Sequence, residues 1–273
     1  MLTLCILHED VTVVIACFNY GRFLPEAVTS ARSQGAHVIV VDDGSTDPAT
    51  HAALDALPND VELIRQQNQG VCAARNAGLR QATTRYLLAL DADDRLAPGA
   101  LDALRAPLDA EPSLGFAYGH MRFFGAWQGE LRFPPYNPYT LLYRHTIGLS
   151  ALMRREVFAD TGGFDAAFET YEDWELWLHA LERGWRGRQV DVVALHYRRH
   201  AGTKHGDDRR RYREHFRQLR RKHAALYARA GELARESETG LPARLLHRLY
   251  WGPRPVPAGV ESALWRLRWG GAR

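Results

Sequence analysis

Tyr86-Leu87-Leu88-Ala89-Leu90-Asp91-Ala92-Asp93-Asp94 is an apolar run of strand length that ends abruptly in carboxylates. In an open α/β sheet, ligands collect outside the carboxyl ends of the strands, so such a run delivers acidic side chains to a site. Three carboxylates in four residues repel one another unless a cation or hydrogen-bond donors offset the charge. If the strand geometry persists, Asp91 and Asp93 point the same way. A hard divalent cation shared with phosphates suits that pair. The plainer alternative is an acidic strand-to-helix turn, with Asp93 or Asp94 capping a helix that begins near Pro98.

Working outward, 273 residues with 46% hydrophobic content can bury one large core, or a core plus an appendage. The net charge of +3 hides an asymmetry. From His196 to Arg273 there are 19 Lys and Arg against 7 Asp and Glu, a net +12; residues 1–195 hold the other 16 and 25, a net −9. An acidic body therefore carries a basic tail. Cys5, Cys17 and Cys72 are an odd number without metal-ligand spacing, which points to a reducing compartment. His8, Glu9 and Asp10 interrupt the first apolar stretch, and no run reaches transmembrane length. The expected setting is cytoplasmic.

Val11–Ala16 is continuous and β-branched, the pattern of a strand buried on both faces. Phe23, Ala27 and Ala31 follow at helical spacing, and His37–Val41 is a second buried strand ending in Asp42-Asp43-Gly44-Ser45-Thr46-Asp47. Helix is expected over 49–57, strand over 61–65, and helix after Gly70 before Tyr86 opens the fourth strand. Such alternation means βαβ crossovers and an α/β fold with a mostly parallel sheet flanked by helices. A carboxylate at the tip of the second strand can accept hydrogen bonds from a base or a ribose, or can close an Asx turn while Thr46 or Asp47 caps the next helix. Arg75 and Asn76 are candidates to contact a diphosphate, although an exposed arginine on a helix face is the ordinary alternative. Neither a dinucleotide-binding glycine fingerprint nor a P-loop appears at any strand-to-helix turn.

In the second half, helix is expected over 101–108 and strands over 115–118, 147–153 and 190–195. Phe123, Phe124, Trp127, Phe133, Tyr136, Tyr139 and Tyr143 can wall an acceptor pocket or form an ordinary core patch. Trp174, Trp177, Leu178 and Leu181 make one buried helix face, leaving Glu172 and Asp173 at its start, where Thr170 and Asp173 resemble a capping box. A basic helix is expected from about residue 209 towards Leu233. The later Trp, Leu and Arg residues suit either peripheral contact with an anionic membrane or packing back on the body. No nucleic-acid module is present, so no nucleic-acid partner is expected.

Four elements stand in order: Val13-Val14-Ile15-Ala16-Cys17-Phe18-Asn19-Tyr20, Val40-Val41-Asp42-Asp43-Gly44-Ser45-Thr46-Asp47, Gln67-Asn68-Gln69-Gly70-Val71-Cys72-Ala73-Ala74-Arg75-Asn76-Ala77-Gly78, and Asp91-Ala92-Asp93-Asp94. Together they resemble a family 2 glycosyltransferase with the GT-A fold. The resemblance implies a catalytic domain over 1–204 with a helical extension over 205–273. It also implies an inverting transfer of sugar from a nucleotide-diphosphate donor to a hydroxyl of a glycan or lipid-linked acceptor. In that scheme Asp93, helped by Asp91, holds Mn2+ or Mg2+, and His200 (or His196) completes the ligands or meets phosphate. Ala16, Phe18, Asn19 and Asp43 cradle the nucleoside, with Arg75, Asp91 and Ala92 on the donor. Asp173 is the general base and Glu172 the reserve. The family's usual Pro-Thr-Tyr-Asn-like turn is Ala16-Cys17-Phe18-Asn19 here. A nucleotidyltransferase on a similar sheet and a non-catalytic nucleotide-sugar binder remain the alternatives.

Overall fold

The computed structural model describes residues 10–168, 170–200 and 208–251. Strand β1 (Val11–Cys17) is buried along nearly its whole length, as its β-branched run requires. Helix α1 (Leu24–Arg32) buries Leu24, Ala27, Val28 and Ala31, one stripe at helical spacing. Strand β2 (His37–Asp42) leads to α2 (Pro48–Asp55), and the Asp47 carboxylate caps α2 by accepting from the N–H groups of Ala49 and Thr50. Then come β3 (Val61–Arg65), α3 (Val71–Gln81) and β4 (Tyr86–Asp91). Helix α3 lies close on the sheet: a Cβ at Gly78 would sit 2.4 Å from Val14 Cγ1.

The chain continues through β5 (Arg95–Leu96), α4 (Ala100–Ala110), β6 (Leu114–Gly125), β7 (Gly129–Leu131) and α5 (Pro138–Leu141). After these come β8 (Leu152–Arg154), α6 (Arg155–Thr161), α7 (Glu172–Glu182), β9 (Arg186–Arg199) and α8 (Asp208–Lys222). Three short helices end the described chain: α9 (Ala224–Ala228), α10 (Ala230–Glu236) and α11 (Leu241–Trp251).

Among the described residues one sheet runs β3-β2-β1-β4-β8-β6-β9-β5, with β7 beside β6. The first four strands are parallel, as the βαβ alternation predicts. The other half is mixed: β8 runs antiparallel to β4 and β6, while β6 and β9 pair in parallel. Two expected strands are longer than predicted, because the β6–β9 ladder carries on to Gly125 and Arg199 by pairing of segments distant in sequence. A third is shorter and begins later: the strand expected over 147–153 covers 152–154, and the Ser150 hydroxyl donates to the carbonyl of Ala89. The predicted basic helix breaks into α8, α9 and α10 instead of continuing to Leu233.

The described residues divide into two compact units, those within 1–136 and 146–223, and those within 137–145 and 224–273. The first holds the sheet. In the second, Asn137 caps α5 and donates through Nδ2 to Thr239 Oγ1 at 3.2 Å, and the Tyr227 hydroxyl donates to the Leu142 carbonyl. Leu241, Leu245 and Leu246 on α11 are exposed. No helix among the described residues is long and apolar enough to cross a membrane.

Candidate active site

The acidic stretch does not continue as strand. Strand β4 stops at Asp91, and the Asp94 N–H donates to the Asp91 carbonyl, closing a turn. That turn, rather than strand alternation, gathers the carboxylates of Asp91, Asp93 and Asp94, with one oxygen from each lying within 4.8 Å of the others. None of them caps the following helix, which begins at Ala100 behind a left-handed Gly99. Asp94 is buried and accepts from the Arg198 N–H at 2.8 Å. Asp93 faces His200 Nε2 at 2.9 Å, and Asp91 accepts from Arg75 at 2.6 Å. Ala92 is buried between them.

Burial, then the neighbouring Asp91 charge, raises the Asp93 carboxyl above its usual range, although His200 works against the shift. Burial and the charges of Asp91 and Asp93 raise Asp94 further. Carboxylates held this close and this dry gain most from a cation, and an all-oxygen set is what Mg2+ or Mn2+ takes. Asp91 and Asp93 therefore fit a divalent ion. The His200 imidazole, 14% exposed and on the same cluster, adds a nitrogen suited to manganese. His196 lies apart from the cluster, opposite Arg95 in the β5–β9 ladder with its ring against Phe124.

The nucleoside candidates sit at the ends of β1 and β2. Ala16 stands in register between Val41 and Asp91. Phe18 is 44% exposed beside it. Asn19, in the left-handed region at φ 58°, accepts from the N–H groups of Thr46 and Asp47 and so ties the two strand-end turns together. Asp43 is buried, and its carboxylate accepts from Gln66 Nε2 at 2.7 Å and from the N–H groups of Gln69 and Gly70 at 2.9 Å each. It holds the loop that enters α3.

Arg75 is not an exposed helix-face arginine. It is buried, and its guanidinium divides between Asp91 and Glu172, donating to Glu172 Oε1 at 2.7 Å. Desolvation pushes Glu172 upward despite the Arg75 charge. Glu172 and Asp173 open α7, as the buried Trp174, Trp177, Leu178 and Leu181 face predicts. The predicted capping box is replaced by Tyr171 at the cap, in left-handed geometry at φ 66° and without a side-chain cap. Asp173 Oδ1 accepts from the Trp174 N–H.

Sequence reasoning missed two members of the site. Arg198 donates through Nε to the Asp93 carbonyl at 2.8 Å and lies over the rings of Phe23 and Phe124. Tyr20 sets its ring edge-on to His200. The signal for Arg198 was its place in the basic run just after the strand expected over 190–195. Tyr20 closes the first of the four family-like elements, but no sequence pattern assigns it a role beside His200.

Residues 12–162, more than half of the chain, match the model of Glycosyl transferase family 2. The chain belongs to this family. The matched residues of this family 2 chain include the acidic cluster and Arg75 but stop before Glu172, Asp173 and His200. It is 30% identical over 205 residues to the pre-mycofactocin glycosyltransferase of Mycobacterium tuberculosis, covering 69% of this chain and 42% of that one. It thus spans about two fifths of that relative's length. It is 27% identical to the Escherichia coli UDP-Glc:alpha-D-GlcNAc-diphosphoundecaprenol beta-1,3-glucosyltransferase WfaP, over 71% of this chain and 79% of that one. Its GT-A fold is shared with solved structures. TarS 1-349 of S. aureus in complex with UDP-GlcNAc gives a TM-score of 0.65 at 19% identity, over 80% of this chain and 66% of that one. The mannosyltransferase PcManGT from Pyrobaculum calidifontis, in complex with GDP-Man and Mn2+, gives 0.57 at 20% identity, over 96% and 81%.

Proposed function

We propose that this protein transfers a sugar, with inversion, from a nucleotide-diphosphate sugar to an acceptor hydroxyl. The observation that carries the reading is that one buried arginine, Arg75, is shared by a cation-ready carboxylate cluster and an acidic pair at a helix start. Asp91 and Asp93, with His200 beside them, would hold a divalent cation, which when bound neutralises charge on the departing diphosphate. Asp173 takes the proton of the acceptor hydroxyl as that oxygen attacks the anomeric carbon, and the bond to the diphosphate breaks on the opposite side. Glu172 is the reserve base. Ala16, Phe18, Asn19 and Ala92 border the donor, with Asp43 fixing the loop beside it.

A lipid-linked glycan precursor is the proposed acceptor, supported by the likeness to WfaP. The proposed setting is the cytoplasmic face of a membrane, with the basic residues and exposed leucines of the last helices meeting anionic lipid. The test is to incubate UDP-glucose, UDP-GlcNAc or GDP-mannose, with and without Mn2+, with GlcNAc-diphosphoundecaprenol and weigh the lipid product. The expected result is one added sugar, abolished by Asp173→Asn while nucleotide binding persists. Full activity in that variant would remove Asp173 from its role.

A further inference from the structure

Two consecutive residues of α3 grip the segment that carries the proposed base. Arg75 reaches 97 residues along the chain to Glu172 and 16 residues to Asp91, at 2.7 and 2.6 Å. Its guanidinium is only 4% exposed, lies 5.3 Å from the centre of the Phe164 ring, and its Nε is buried without a partner. Asn76 clamps Phe164 from both sides, accepting from its N–H at 2.9 Å and donating to its carbonyl at 2.7 Å. The turn is cut to fit that amide: Gly163 stands at φ 87°, and a Cβ there would lie 2.3 Å from Asn76 Oδ1. Helix α3 itself is seated directly on β1 through Gly78.

A buried cation between two carboxylates is a poor source of net stability, because desolvation offsets most of the attraction. It is a good way to fix geometry. The planar fork of an arginine presents separate nitrogens to the two acids in one rigid geometry, whereas a lysine offers a point charge on a flexible stem and fixes their relative placement less well. We infer that Arg75, seconded by Asn76, is a positioning residue. It locks the start of α7 to the end of β4, so that Asp173 keeps a fixed place relative to the donor-side carboxylates. This rests on the glycosyl-transfer reading. It differs from a direct contact between Arg75 and the donor diphosphate, because both ends of the guanidinium are already engaged within the chain.

The test compares wild type, Arg75→Lys and Asn76→Ala in the transfer assay, with calorimetric binding of UDP or GDP plus Mn2+ measured in parallel. A base displaced by about 1 Å costs on the order of 100-fold in rate, so Arg75→Lys should lose about that much kcat, and Asn76→Ala about tenfold. Both should keep KM for the nucleotide sugar, and Kd for the nucleotide, within about threefold of wild type. Nucleotide affinity falling in step with kcat would make Arg75 a donor ligand and overturn the inference, as would unchanged kcat in both variants. Should Arg75→Lys fail to fold, the split between kcat and Kd in Asn76→Ala decides alone. Absence of wild-type turnover would instead strike the transfer reading and take this inference with it.

Discussion

Asp43→Asn separates two jobs that one carboxylate can do. Oδ1 accepts two hydrogen bonds, from Gln66 Nε2 and the Gln69 N–H, and Oδ2 accepts a third from the Gly70 N–H, at the N-terminus of α3. An asparagine can satisfy at most one side. With its oxygen towards Gln66 and Gln69, its NH2 confronts the Gly70 N–H, donor against donor; turned over, it confronts two donors. The change removes a charge-assisted bond, worth about 1.5–3 kcal/mol, and leaves a poorly hydrated N–H that costs about 1–3 kcal/mol. Allowing for relaxation of the loop, the net loss should be about 2–4 kcal/mol. For a chain of this size that corresponds to a fall in Tm of roughly 5–15 °C. Thermal and urea unfolding of the nucleotide-free protein measure it. A loss below about 0.5 kcal/mol, the range of an ordinary surface change, would show that the carboxylate does not hold the loop.

Three further outcomes follow from the same contacts. Glu175 is fully buried, with Oε1 2.6 Å from Lys222 and 3.1 Å from the buried His223, so Glu175→Ala should destabilise by about 1–3 kcal/mol in urea unfolding, because His223 Nε2 loses its buried partner. Lys222 also bonds Asp165, where burial opposes ionisation but Lys222 and the Ala167 N–H, with smaller help from His179, together hold the carboxyl below its usual range. That contribution is present above the unfolded-state pKa and is lost as pH falls through the lower folded value; the slope of stability against pH below about 4 should shrink in Lys222→Met. Leu88, buried at the centre of β4, should cost about 2–5 kcal/mol on replacement by alanine, read as a lower urea midpoint with an unchanged slope.

The first half of the fold was legible because β1, β2 and β4 are buried on both faces, so their apolar runs need no partner to be recognised. The Trp174–Leu181 face was equally plain. The second half was not, because its strands take their length from distant pairing: His120 to Gly125 becomes strand only by lying against Val193 to Arg199. The acidic cluster was visible because its members adjoin in sequence. The turn that gathers them was legible only as the plainer alternative, since nothing in Ala92 decides whether the strand stops. Arg75 was legible as a candidate donor contact or an exposed helix residue but not as a buried bridge, for the same reason that β6 looked short: what determines it lies far along the chain, at Asp91 and Glu172.

On the proposed reading the Asp91–Asp94 turn receives a cation together with a nucleotide diphosphate. Calorimetric titration of UDP and GDP, with and without Mn2+, into wild type and Asp93→Asn is the decisive test. One nucleotide should bind in a Mn2+-dependent manner, and the dependence should disappear in Asp93→Asn. Binding of equal strength without the metal and in the variant would contradict the reading.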